Sequence, residues 1–247
     1  MKLSKSARKI LFVLGVVAVV LAAASVYSWT QRRAAESEND AKMRAGWGNS
    51  GELRPDYTAD EIAAGVLSDE IVFNSVTDGV IGNEKNCVGA REATGTNLGQ
   101  ANVWQDDLIT VEDGKEYLIR MYVRNDNPNE EAVATGTRVA FSMPNTSATQ
   151  AAIGGYIFSD NSRYDTYWDS VVIEAEQPFH LEYAAGSALL ENNGIGADGG
   201  YALSDDIVYK AASEHGVAIG YNELDGRLPG GYQYAAYVTI RVRVVFD

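Results

Sequence analysis

From Glu70 to Asp247, apolar and polar residues alternate with a period of two. That is the pattern of strands with one buried and one wet face. The last segment is clearest: Val238, Ile240, Val242, Val244 and Phe246 interleave with Tyr237, Thr239, Arg241, Arg243 and Val245. Residues 116–124 set Tyr117, Ile119, Met121 and Val123 against Arg120 and Arg124. Residues 138–143 bury Val139, Phe141 and Met143; residues 179–183 bury Phe179, Leu181 and Tyr183, with His180 and Glu182 outward. Further strands are predicted at 70–76, 107–111, 153–158, 167–174, 187–190 and 216–221. Turn signals such as Asp78-Gly79, Asp113-Gly114, Asn192–Gly194, Asp198–Gly200 and Asp225-Gly226 separate them. The pattern predicts a mainly β domain over 70–247, an Ig-like antiparallel β-sandwich.

The pattern upstream is different. Lys2, Lys5, Arg8 and Lys9 precede an uncharged apolar run from Ile10 to Trp29. A helix of that length spans a bilayer core of about 30 Å. Tyr27 and Trp29 suit the interface, and the heavier positive charge lies before the run. Residues 1–29 are therefore expected to form a basic cytoplasmic tip and a transmembrane signal-anchor helix, with the β domain outside the cell membrane. A second reading is a signal peptide cleaved near Ala24, at Ala22-Ala23-Ala24, which would release a secreted domain. Residues 30–57 read as a polar stalk, with Glu38–Lys42 and Asp40–Arg44 as favourable helical pairs. Thr58-Ala59-Asp60-Glu61 is a capping box, and Gly65 a stop, for a short helix within 58–69.

Charge narrows the partners. The 20 Lys and Arg include six within the first 33 residues, which hold no acid; the rest of the chain sets 14 bases against 34 acids. Nucleic acid, which demands a basic footprint, is excluded. The lone cysteine, Cys87, permits no internal disulfide and is expected to be a small buried side chain.

The stretch Val111–Tyr117, Ile119–Asn125 and Ala134–Pro144 carries spaced Val, Gly, Tyr and Asn and a closing apolar-Pro pattern. It resembles the conserved-repeat domain of uncharacterised exported bacterial surface proteins, over about 70–247. The resemblance implies an Ig-like sandwich at the cell surface and lends no activity.

Candidate chemistry is sparse. Two histidines, His180 and His215, and one cysteine offer no nucleophile–base motif and no zinc set. The expectation is therefore that the chain is not an enzyme. Asp160, Asn161, Asp165 and Asp169 form a loop-rich oxygen cluster of a kind that suits Ca²⁺, although Asp and Asn serve turns equally well. Asn192, Asn193 and Asp198 form a second such cluster, and Asp205-Asp206 a third. Tyr164, Tyr167 and Trp168 are a candidate sugar platform, and Tyr232, Tyr234 and Tyr237 another; alternating Tyr is also ordinary strand composition.

The expected function is a membrane-anchored structural or adhesive surface module without assigned chemistry. Its alternatives are a glycan- or protein-binding module of the envelope, and a hydrolase using paired carboxylates. An aromatic patch on the surface would favour binding. Two carboxylates about 5–9 Å apart in a cleft would favour hydrolysis.

Overall fold

The structure, a computed structural model, describes residues 54–94, 104–105, 107–209 and 216–247. The expected membrane helix at 10–29, most of the stalk and His215 lie outside the described residues. Among the described residues, no helix is long and apolar enough to cross a membrane.

Ten strands form a mainly antiparallel sheet: β1 (Val88–Glu92), β2 (Leu108–Thr110), β3 (Glu116–Val123), β4 (Arg138–Ser142), β5 (Ala148–Phe158), β6 (Thr166–Tyr183), β7 (Leu189–Asn192), β8 (Tyr201–Ala202), β9 (Val217–Ala218) and β10 (Ala236–Phe246). The order is β1-β3-β10-β6-β5-β4-β9. β2 runs parallel to β6, and β7 lies against the first half of β10 with β8 outside it. Among the described residues two short α-helices accompany these strands, α1 (Ala59–Ala63) and α2 (Asp206–Tyr209).

β6 explains how one sheet makes a sandwich. Its first half pairs with β5, and its last residues, Phe179–Tyr183, pair with β10. The register slips between Ala148 and Gln150, where β6 leaves β5. Exposed Pro178 sits at this transfer, where a missing N–H costs no ladder bond. The two halves then face each other. A Cβ on Gly155 of β5 would come within 2.6 Å of Val88 Cγ2 and 2.9 Å of Met121 Sδ, so only glycine allows that approach.

Between the halves, Ile119, Met121, Val238, Ile240 and Val242 meet Phe141, Ile153, Ile157, Val171 and Ile173, all fully buried. These are the apolar positions of the period-two pattern. Cys87 is a buried free thiol, which burial pushes up to about 12. The capping box forms as expected: Glu61 N–H donates to Thr58 Oγ1 (3.2 Å), and Thr58 N–H to Glu61 Oε2 (2.7 Å). Ile62 and Leu67 then join the core.

Three strand expectations change. Residues 70–76 make single bridges at Phe73 and Val76 rather than a strand, because Asn74 takes φ 48°. Its side chain instead clamps β3, donating to Tyr122 O (2.8 Å) and accepting from Arg124 N–H (2.9 Å). The strands predicted at 167–174 and 179–183 are one, β6. The strand predicted at 216–221 shrinks to β9, since the residues that follow form turns.

Candidate functional site

Residues paired across neighbouring strands share a face. The registers set Tyr122 of β3 opposite Tyr237 of β10, and Tyr237 opposite Glu191 of β7. One row across three strands thus carries two tyrosines and a carboxylate, on the face turned away from the core. The Tyr122 and Tyr237 rings lie 5.2 Å apart, tilted by 46°. The Arg120 guanidinium lies 4.8 Å from the Tyr237 ring centre and 4.2 Å from that of Trp104; Arg91 approaches the same indole at 5.2 Å.

Two loops wall this row. The first is a 3-10 turn, Tyr232–Tyr234. The Tyr234 hydroxyl donates to Glu130 Oε2 (2.6 Å), its ring meets Tyr221 edge-on at 4.8 Å, and Asn193 Nδ2 donates to Gln233 O (3.0 Å). So braced, the turn holds Tyr232 49 % exposed beside the row. The second is the glycine-rich loop after β7. Asn192 Oδ1 accepts from Gly194 N–H (3.0 Å) and Gly196 N–H (2.9 Å), and its Nδ2 donates to Gly220 O (3.0 Å). A Cβ on Gly196 would overlap the Leu190 carbonyl, so the loop can lie this close only with glycine there. The result is a cavity of about 410 Å³ lined by Tyr122, Tyr232, Tyr237, Glu191, Asn192 and Asn193, with small residues closing the wall.

Next to the row lies a buried charge cluster. Arg124 Nη1 donates to Glu84 Oε1 (2.8 Å), and its Nε lies 3.3 Å from Asp126 Oδ1. Ser75 gives Asp126 Oδ2 two hydrogen bonds, from N–H (2.6 Å) and Oγ (2.7 Å). Both carboxylate side chains are fully buried, and one guanidinium serves two acids. Burial, then the Asp126 charge, pushes Glu84 up to about 8. Burial raises Asp126 as well. Arg124 also lies 5.8 Å from the Tyr232 ring centre, which links the cluster to the cavity wall. The Tyr122 hydroxyl is buried without a hydrogen-bond partner, and burial followed by the Glu84 charge raises its pKa.

The residues singled out from sequence fall in several places. Asn161 fixes a loop, accepting from Thr135 N–H (2.8 Å) and donating to Val133 O (3.0 Å). Asp160 and Asp165 are exposed. Asp169 points into the core and accepts from Val88 N–H (2.8 Å); burial raises it well above the carboxylate range. Among the described residues, no group of three His, Cys, Asp or Glu is placed to hold a metal ion. Tyr167 is fully buried, packed edge-on against Phe73 (5.3 Å) and Tyr164 (5.6 Å). Trp168 alternates to the other face of β6, so the Tyr164, Tyr167 and Trp168 rings share no surface. His180 Nδ1 pairs with Asp247 Oδ1 at 2.8 Å. Asp205 is spent on the Tyr183 hydroxyl (2.6 Å) and Gly186 N–H (2.8 Å), which hold its carboxyl below the usual range.

What the fold does bring together are two clusters 40 residues apart in sequence, Asn192 and Asn193 with Tyr232 and Tyr237. Sequence reasoning missed Tyr122 and Glu191, the other half of the row. The signal available was Arg120-x-Tyr122-x-Arg124, an aromatic between two cations on one strand face. Chemically, the cavity offers ring faces, one carboxylate acceptor and backbone polar groups. No family model, curated protein or solved structure matches the chain.

Proposed function

We propose that the chain is an envelope module that binds a ligand, a glycan, in the cavity built on Tyr122, Tyr237 and Glu191. The cross-strand row carries this reading: it gathers ring faces and a hydrogen-bond acceptor at a site of ligand-pocket size, about 300–1,000 Å³ for small-molecule sites. The carboxylates beside this cavity that converge, Glu84 and Asp126, are fully buried, which favours binding over hydrolysis at this site. In this reading residues 10–29 anchor the protein in the membrane, and the acidic domain, an Ig-like sandwich resembling the conserved repeat of surface proteins, stands outside it. The reading extends the expectation of a structural surface module by giving that module something to hold.

The test is retention of the full chain on insoluble cell-wall polysaccharide, compared with Tyr232→Ala. Tyr232 is half exposed, so the variant is expected to fold as the parent does and to lose most of its retention. Equal retention of the two proteins, or none by either, would sink the reading.

A further inference from the structure

The lining of the cavity bears on what class of molecule enters it. Two ring faces are open to a ligand, Tyr122 being only 1 % exposed, and both already have a guanidinium beside them: Arg120 at 4.8 Å from Tyr237 and Arg124 at 5.8 Å from Tyr232. Both arginines are buried, 7 % and 8 % exposed. A cationic ligand seated on these rings would be drawn by Glu191 but repelled by the Arg120 guanidinium beside Tyr237 in a poorly solvated wall, the Arg124 charge being already shared between Glu84 and Asp126. An anion is opposed from the other side. Among the described residues Glu191 is the one charged residue in the lining, and its repulsion of an anion offsets the attraction of Arg120, so neither sign of charge is favoured.

A neutral ligand remains. The groups it would meet are C–H-accepting ring faces on Tyr232 and Tyr237 and a carboxylate that only accepts hydrogen bonds. Asn192 is committed to the loop by both ends of its amide, and Asn193 Nδ2 to Gln233 O. Glu191 therefore supplies the charged acceptor, opposite Tyr237 in register. A molecule with an apolar C–H face and adjacent hydroxyl donors on its edge satisfies both. We infer that the cavity is selective for an uncharged sugar residue, whose C–H face stacks on tyrosine and whose hydroxyls donate to Glu191. Hydrogen bonds to an ionised acceptor are the stronger kind, so Glu191 would fix the orientation of the ring.

This inference rests on the binding reading above and deepens it. The test titrates the full chain, in a detergent without a sugar headgroup, with glucose, galactose and N-acetylglucosamine. Glucuronate serves as the anionic probe and choline as the cationic one. Binding is read by saturation-transfer NMR and tyrosine fluorescence. At least one neutral sugar is expected to bind at least about tenfold more tightly than glucuronate or choline. Glu191→Gln is expected to weaken that sugar about tenfold, the worth of one charged hydrogen bond, with an unchanged Tm. Tyr232→Ala should do the same. Tighter binding of choline or glucuronate would overturn the inference and leave a binding module of another specificity. So would an absence of neutral-sugar binding when retention on cell wall still depends on Tyr232. Neutral-sugar binding indifferent to both variants would remove the cavity as its seat. Loss of Tyr232-dependent retention together with all sugar binding would end the binding reading itself.

Discussion

β3 is buried on both faces, and the two faces are made of different material. Inward, Tyr117, Ile119, Met121 and Val123 enter an apolar core. Outward, Leu118, Arg120, Tyr122 and Arg124 are equally hidden, under Trp104, Tyr237 and Glu84. The inner face is held by area removed from water, which is tolerant of detail. The outer face is held by cations on rings and by an acid–base cluster, where every charge needs its partner. Nonspecific burial builds the scaffold; the specific layer builds the site beside it.

Four measurements bear on that contrast, from the largest expected effect to the smallest. Phe141→Ala empties a fully buried core position. It should cost about 3–5 kcal/mol in urea unfolding. A loss under about 1 kcal/mol would mean that the inner face is not the main source of stability.

Arg124→Met keeps the bulk and removes the guanidinium that faces both Glu84 and Asp126. The expected cost is about 3 kcal/mol, since removing one partner strands a buried charge, although Glu84 relieves part of it by staying protonated. If the variant unfolded with the parent, the cluster would have no structural weight.

The same cluster makes stability depend on pH. Folded Glu84 keeps its proton up to about 8, against an ordinary value of 4.5. Between those values the folded form holds a proton that the unfolded chain has released. Stability is therefore fullest below about 4.5 and falls as pH rises through about 8. Asp126 and Asp169, also raised by burial, push in the same direction. Glu84→Gln should flatten this fall and keep the Arg124 hydrogen bond, as followed by Tm at pH 5, 7 and 9. A Tm that climbs with pH across that range would contradict the assignment.

The smallest effect is expected at Tyr122→Phe. The hydroxyl is buried without a hydrogen-bond partner, so its removal should change stability by less than about 1 kcal/mol, in the stabilising direction. A clear loss would show that the hydroxyl has a partner, such as a buried water.

How much of this was legible follows from the same contrast. β3, β4 and β10 were read from alternation because their inner faces repeat Val, Ile, Phe and Met every second residue. The short helix expected within 58–69 is legible in its capping box and forms over Ala59–Ala63. β1 escaped, since Val88-Gly89-Ala90-Arg91-Glu92 has small residues where a pattern needs large ones. The strands expected at 167–174 and 179–183 are one, because the change of partner from β5 to β10 is absorbed by a register slip within β6. Tyr167, a sugar-platform candidate from its sequence neighbours, faces the core, because local sequence does not say which face of β6 points inward. Of the tyrosines grouped in sequence, Tyr232 and Tyr237 line the cavity and Tyr234 does not, while Tyr122 and Glu191 reach it only through strand register.

By itself, the sequence determined strand periodicity, the short capped helix and the acidic character of everything after residue 33. These are local or summed properties, fixed by side-chain spacing and charge. The tertiary structure alone decided that β6 serves both halves of the sandwich, that the outer face of β3 is covered, and that Glu191 stands in register with Tyr237 and Tyr122. The row depends on pairings between residues 46 and 115 positions apart, and no local pattern encodes which row a residue joins.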